Sequence, residues 1–144
     1  MSEHQSLEGL FKLVHMLKRE LHEQMDQLDM GMAPMHIRTM KIIDKLKPCT
    51  AVDIANFLQR DKAQVTRLVN TLIESGLVVK QPNPNDKRSH FLKITESGEQ
   101  IITQLAHVDA KTAQVMMKNL SEEEVREFMR MSEVMANNLQ KKTE

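Results

Sequence analysis

The sequence predicts a mainly α-helical chain that carries one small β-hairpin. Three observations predict it. Apolar residues recur at helical spacing over most of the 144 residues, the period shortens to two only around residues 77–94, and polar capping signals precede the apolar runs.

The first element repeats Leu7, Leu10, Val14, Leu17, Leu21 and Leu28, with Phe11 and Met25 beside them. Such a narrow seam belongs to a long amphipathic helix that packs on another helix. Gly31 and Pro34 break it. A second helix follows, with Met35, Ile37, Met40, Ile43 and Leu46 turned inward, and ends before Pro48. Thr50 is placed to cap a short third helix, with Asp53 returning the hydrogen bond in an Asp variant of the capping box. Asp61 stands where it can cap the next helix, with Gln64 at the reciprocal position, and Gly76 stops that helix. Two short helices so closely joined form a helix-turn-helix pattern.

Leu77–Gln81 and Phe91–Ile94 then read as two strands, joined by the polar, basic loop Pro82–Arg88. Thr95 caps a long helix through Ile101, Leu105, Val108, Thr112, Val115 and Met116. Ser121 and Glu124 form a second capping box, opening a last helix with Val125, Phe128, Met129, Met135 and Leu139.

Composition limits the function classes. The hydrophobic share of 40% is enough for a core, and no apolar run approaches a membrane span. The N-terminal residues Met1–Gln5 lack the pattern of a signal peptide, and a lone Cys49 cannot staple the chain. A cytoplasmic, reducing location is therefore the expectation. Net charge is zero, but it is unevenly spread. Residues 1–35 carry three Lys/Arg against six Asp/Glu, residues 36–95 eleven against five, and residues 96–144 six against nine. A basic middle of this kind attracts phosphate even in a neutral chain.

The helix over residues 62–75 puts Val65, Leu68, Val69, Leu72 and Ile73 on one face. The opposite face holds Ala63, Arg67, Asn70 and Glu74, flanked by Gln64, Thr66 and Thr71. Arg suits guanine, Gln and Asn suit adenine, and Thr suits a phosphate or a thymine methyl. Lys62 and the helix N-terminus suit phosphate. An ordinary solvated face can carry the same residues. The hairpin directly behind it, with Lys87 and Arg88 at its tip, points instead to DNA, where such a loop reaches the narrow minor groove. Asp86 is expected to hold Arg88 in direction through a charge-assisted hydrogen bond.

The stretches Thr66-Arg67-Leu68-Val69, Gly76-Leu77-Val78, Pro84-Asn85-Asp86-Lys87-Arg88 and Leu92-Lys93-Ile94-Thr95-Glu96-Ser97-Gly98 resemble the MarR family of bacterial transcriptional regulators. The resemblance covers essentially the whole chain. It implies a winged helix-turn-helix lobe, a dimerisation lobe built from both termini, a recognition helix containing Gln64, Thr66 and Arg67, and Arg88 in the wing. It also implies a repressor released from DNA by a small, often aromatic or phenolic, ligand. Two positions depart from the family pattern. Gln59 stands where Gly is usual, and a left-handed Gln costs about 1–2 kcal/mol, so a remodelled turn is expected. Arg60 replaces a small apolar residue and is free to face phosphate.

Other candidates carry less. Relatives with a sensing Cys hold it near the N-terminus, and Cys49, between Pro48 and Thr50, reads as a small buried hydrophobe. His4, His15, His22, His36, His90 and His107 are scattered, and only His15 and His22 share a spacing, without a partner to complete a metal site. The twelve Met are mostly core filler, with an adaptable ligand cavity between the lobes as a second reading.

The domain expectation is a dimerisation helix at 1–34, a winged helix-turn-helix lobe at 35–95 and dimerisation helices at 96–144. The candidate DNA-contacting residues are Thr50, Lys62, Ala63, Gln64, Thr66, Arg67, Asn70, Lys87 and Arg88, with Asp86 orienting the wing. The partners expected are double-stranded DNA bearing a pseudo-palindromic operator, a second copy of the chain and a small-molecule effector, with no membrane. No catalytic, cofactor or metal residue is assigned, because no nucleophile–base pair, phosphate loop or metal cluster is present in the sequence. The alternative is a winged-helix module that binds protein and not DNA.

Overall fold

The computed structural model describes residues 3–28 and 31–141. The element order is α1 (Glu3–Leu28), α2 (Pro34–Lys45), α3 (Ala51–Leu58), α4 (Lys62–Glu74), β1 (Val78–Pro82), β2 (His90–Ile94), α5 (Glu96–Met116) and α6 (Glu122–Lys141). Contacts divide the chain into two units. One runs His22–Val108; the other comprises the described residues up to Leu21 and from Asp109 on.

The His22–Val108 unit has the larger core. Met40 and Ile43 of α2, Ile54 of α3, Val65 and Leu72 of α4 and Val78 of β1 are fully buried together with Cys49. Three of the five α2 positions expected inward, Met35, Ile37 and Leu46, are only half-buried, while Thr39 and Ile42 are buried. The reason is that α2 packs against α3, α4 and β2 at once, so it buries a wider arc than one amphipathic stripe. The buried Thr39 hydroxyl donates to the Met35 carbonyl at 2.7 Å, which satisfies it locally.

The hairpin is a two-stranded antiparallel sheet with Val78 opposite Ile94, Lys80 opposite Leu92 and Pro82 opposite His90. It extends one pair further toward the tip than the sequence indicates, because an edge strand can end on a proline that donates nothing. A third segment braces it: the Leu92 N–H donates to the Cys49 carbonyl at 2.8 Å. At its base, Thr95 donates its hydroxyl to the Gly76 carbonyl at 2.6 Å and accepts from the Gly98 N–H at 3.1 Å. One residue therefore closes the hairpin and starts α5.

In the other unit, Ser121 and Glu124 form the reciprocal capping box that opens α6, at 2.9 and 3.1 Å. Leu7, Leu10, Phe11 and Val14 of α1 are exposed, as are Phe128, Met129, Met135 and Leu139 of α6. A single copy of the chain leaves these apolar seams open to water. Thr112 of α5 is buried, and its hydroxyl has no hydrogen-bond partner among the described residues. No helix among those residues is long and apolar enough to cross a membrane.

Candidate nucleic-acid interface

The candidate surface begins at α3, whose cap decides how the chain enters it. Thr50 Oγ1 accepts from the Asp53 N–H at 3.2 Å, and the Thr50 N–H donates to the Asp53 carboxylate at 2.9 Å. The Thr50 hydroxyl proton is left over, and a phosphate oxygen is a suitable acceptor for it. The helix closes at Gln59, which adopts the left-handed conformation, with φ 52° and ψ 48°. The turn is therefore not remodelled. Its amide bonds back to α3, and the Arg60 N–H reaches the Ala55 carbonyl at 3.0 Å, which holds the bend in place despite the missing glycine.

Asp61 occupies the N-cap of α4 but makes no side-chain capping bond, so the cap expected from Asp61 and Gln64 is absent. Its backbone carbonyl accepts from Val65 at 3.1 Å. The amides of the first turn, Lys62 to Gln64, thus carry no carboxylate cap and are open to an external acceptor.

On α4, Val65, Val69 and Leu72 are buried, and Leu68 and Ile73 are half-buried. Ala63, Gln64, Thr66, Arg67 and Asn70 are all exposed. Thr66 commits its hydroxyl proton to the Lys62 carbonyl at 2.8 Å, so toward a ligand it presents its methyl and an acceptor oxygen. The fold brings Arg60, Gln64 and Arg67 together with His36 of α2 around a shallow cleft of about 330 Å³. Nothing in the sequence pairs His36 with this surface, because the juxtaposition depends on how α2 crosses α4.

The hairpin tip is ordered by its own polar groups. Asn83 Oδ1 accepts from the Asn85 N–H at 3.0 Å, and the Asp86 N–H donates to the Asn83 carbonyl at 3.2 Å. The Asp86 carboxylate accepts from the main-chain N–H of Arg88 at 2.9 Å. It fixes the backbone at residue 88 and not the guanidinium expected from the sequence. Carboxylate and next-but-one amide are within reach in any tight turn, whereas the long Arg side chain loses entropy to fold back. Lys87 and Arg88 both point out as exposed cations.

Cys49 lies behind this surface, fully buried, and burial followed by the nearby Asp53 carboxylate pushes its thiol up to about 11. It is a neutral core residue. Among the described residues, no group of three His, Cys, Asp or Glu side chains is arranged to hold a metal ion.

A family model described as the MarR family matches residues 34–90, which hold α2 to the start of β2. The multiple antibiotic resistance protein MarR of Escherichia coli is 31% identical over 121 residues, covering 81% of this chain and 83% of that protein. The chain belongs to the MarR family. The regulator BilQ of Clostridioides difficile is 30% identical over 88 residues, 61% of this chain, and the match spans only 60% of BilQ's own length. A crystal structure of an Escherichia coli MarR mutant complexed with operator DNA superposes with a TM-score of 0.69 at 26% identity, over 94% of this chain and 99% of that one. The expected fold of this MarR-family chain, mainly helical with a hairpin wing, is the fold observed.

Proposed function

We propose that this protein is a sequence-specific DNA-binding transcriptional regulator, a cytoplasmic homodimeric repressor whose hold on DNA is modulated by a small ligand. The observation that carries the reading is the pairing, within one unit, of an uncapped, base-competent helix face with a cationic hairpin tip held by its own turn. Arg67, Gln64 and Asn70 read base edges, Thr66 offers its methyl to thymine, and Ala63 leaves room for the helix to approach the groove. Lys62, the Thr50 hydroxyl and the first-turn amides of α4 hold phosphates. Lys87 and Arg88 enter the minor groove, with Asp86 setting their backbone. The segments expected to dimerise, 1–34 and 96–144, flank a DNA lobe at 35–95. The open apolar seams of α1 and α6 support this, since a second copy would cover them. Two recognition helices related by a two-fold axis then meet half-sites about one helical turn apart. The solved complex of the Escherichia coli relative with operator DNA supports the DNA-binding reading. Catalysis has no part in this reading.

The test is a titration of duplex DNA from the region upstream of the protein's own gene, at two salt concentrations and with nonspecific competitor. Tight, salt-sensitive, competitor-resistant binding is expected. Arg88→Ala should weaken binding to all sequences, and Arg67→Ala should mainly relax discrimination between them. Wild-type binding by both variants would overturn the docking.

A further inference from the structure

The DNA-reading residues sit on α4, at the cap of α3 and at the hairpin tip, and none lies on the stem that joins the tip to the core. The register of that stem settles which way its side chains point. Val78 pairs with Ile94 and Lys80 with Leu92, and these alternate residues share one face of the hairpin. Val78, Leu92 and Ile94 are buried in the core formed with α2, α3 and α4, so this face is turned toward the helices. Lys80 stands on the same face, two residues nearer the tip than Val78, and is exposed. It lies past the edge of the core and projects into the gap between the hairpin and the helix-turn-helix. Pro82 and His90, the next pair on this face, are exposed as well and bring no carboxylate to it. Lys80 forms no ion pair among the described residues.

Lys93 provides the contrast. It pairs with Val79, and both are exposed on the outer face, away from the helices. Two exposed lysines in neighbouring pairs of one hairpin therefore point in opposite directions.

What fills the gap follows from the shape of a duplex. With α4 in the major groove and the hairpin tip in the adjacent minor groove, one sugar–phosphate strand must run between them, because a single strand separates neighbouring grooves. That strand passes the inner face of the stem. The entry to α3 bounds the same gap. The Leu92 N–H donates to the Cys49 carbonyl across the edge of β2 away from β1, which sets the start of the Thr50 cap about two strand spacings, roughly 10 Å, from Lys80. We propose that Lys80 is a further phosphate-holding residue, its ammonium on the sugar–phosphate strand that runs between the recognition helix and the wing. The assignment rests on the DNA-binding reading and deepens it. A phosphate held there fixes how the wing and the helix straddle the backbone and carries no base preference.

The test is fluorescence anisotropy with a labelled duplex from the region upstream of the protein's own gene, over a range of salt concentrations. Lys80→Gln should weaken binding about fivefold at about 0.15 M salt and reduce the slope of log affinity against log salt by about one. The loss should be the same on a nonspecific duplex. Lys80→Arg should restore both quantities, and Lys93→Gln should leave both at their wild-type values. Lys80→Met serves as a second uncharged variant, and unchanged thermal melts would show that the variants fold. Replacing single phosphates by neutral methylphosphonates locates the contact. At one position beside the wing, the replacement should weaken the wild type as much as Lys80→Gln does, and cost Lys80→Gln nothing further. An unchanged salt slope in Lys80→Gln overturns the proposal. Equal weakening by Lys93→Gln does the same, since only the total charge of the hairpin would then count. If the wild type binds neither duplex, the regulator reading falls and the contact falls with it. If the wild type binds and the two lysine variants behave alike, the contact alone falls.

Discussion

Asp86 gives the sharpest test of how the wing is built, because its carboxylate can act in two separable ways. It accepts from the Arg88 N–H at 2.9 Å, which orders the tip, and it places a negative charge where phosphates are expected. Asp86→Ala removes both, whereas Asp86→Asn keeps an acceptor oxygen in place and removes only the charge. A solvent-exposed hydrogen bond of this kind contributes about 0.5–1.5 kcal/mol to the ordered loop. If that order is required in the complex, Asp86→Ala lowers DNA affinity by roughly two- to tenfold. Asp86→Asn should bind at least as tightly as wild type, since the retained acceptor still holds residue 88 and one source of repulsion is gone. Fluorescence anisotropy with a labelled operator, at fixed salt, measures both. Equal weakening of the two variants would show that a carboxylate–guanidinium pair matters instead, and would refute the backbone role assigned here. Wild-type affinity in Asp86→Ala would show that the tip needs no such brace.

Further outcomes follow from the backbone and the core. Gln59→Gly should relieve about 1–2 kcal/mol of left-handed strain against about 0.5–1 kcal/mol of glycine entropy, and so raise the melting temperature by a few degrees. A drop would mean that the Gln59 side chain does more than occupy the turn. Gly98→Ala should do the opposite. A Cβ there would lie 2.6 Å from Ile94 Cγ2 and collide with the Leu77 carbonyl oxygen, which is pinned as the acceptor of the Thr95 N–H at 3.0 Å. The overpacking cost of about 1–3 kcal/mol outweighs the helix-propensity gain, and an unchanged melt would refute the clash. Cys49, with its thiol pushed up to about 11 by burial, should resist alkylation at pH 8 in the native state and react readily once unfolded. Rapid native labelling would contradict its burial.

Much of this chain was legible in its sequence because the deciding interactions are local. The boxes at Thr50–Asp53 and Ser121–Glu124 close within four residues, and both form. The shift of apolar period from helix to strand located the hairpin within one residue at each tip end, and the wheel over residues 62–75 separated the buried face of α4 from the exposed one. What the pattern alone misjudged was wherever two local options lay close in energy. Asp61 has the right position and backbone for a cap and does not make the bond; Gln59 accepts the strained turn; Asp86 takes the nearer main-chain donor. The burial of Thr39 and Ile42 and the joining of His36 to Arg60 and Arg67 had no signal at all. Each depends on residues far apart in sequence that meet only when α2 is wrapped by three other elements. Periodicity and caps report what a residue does within its own turn of chain; which distant side chain faces it is a property of packing, and packing belongs to the folded molecule.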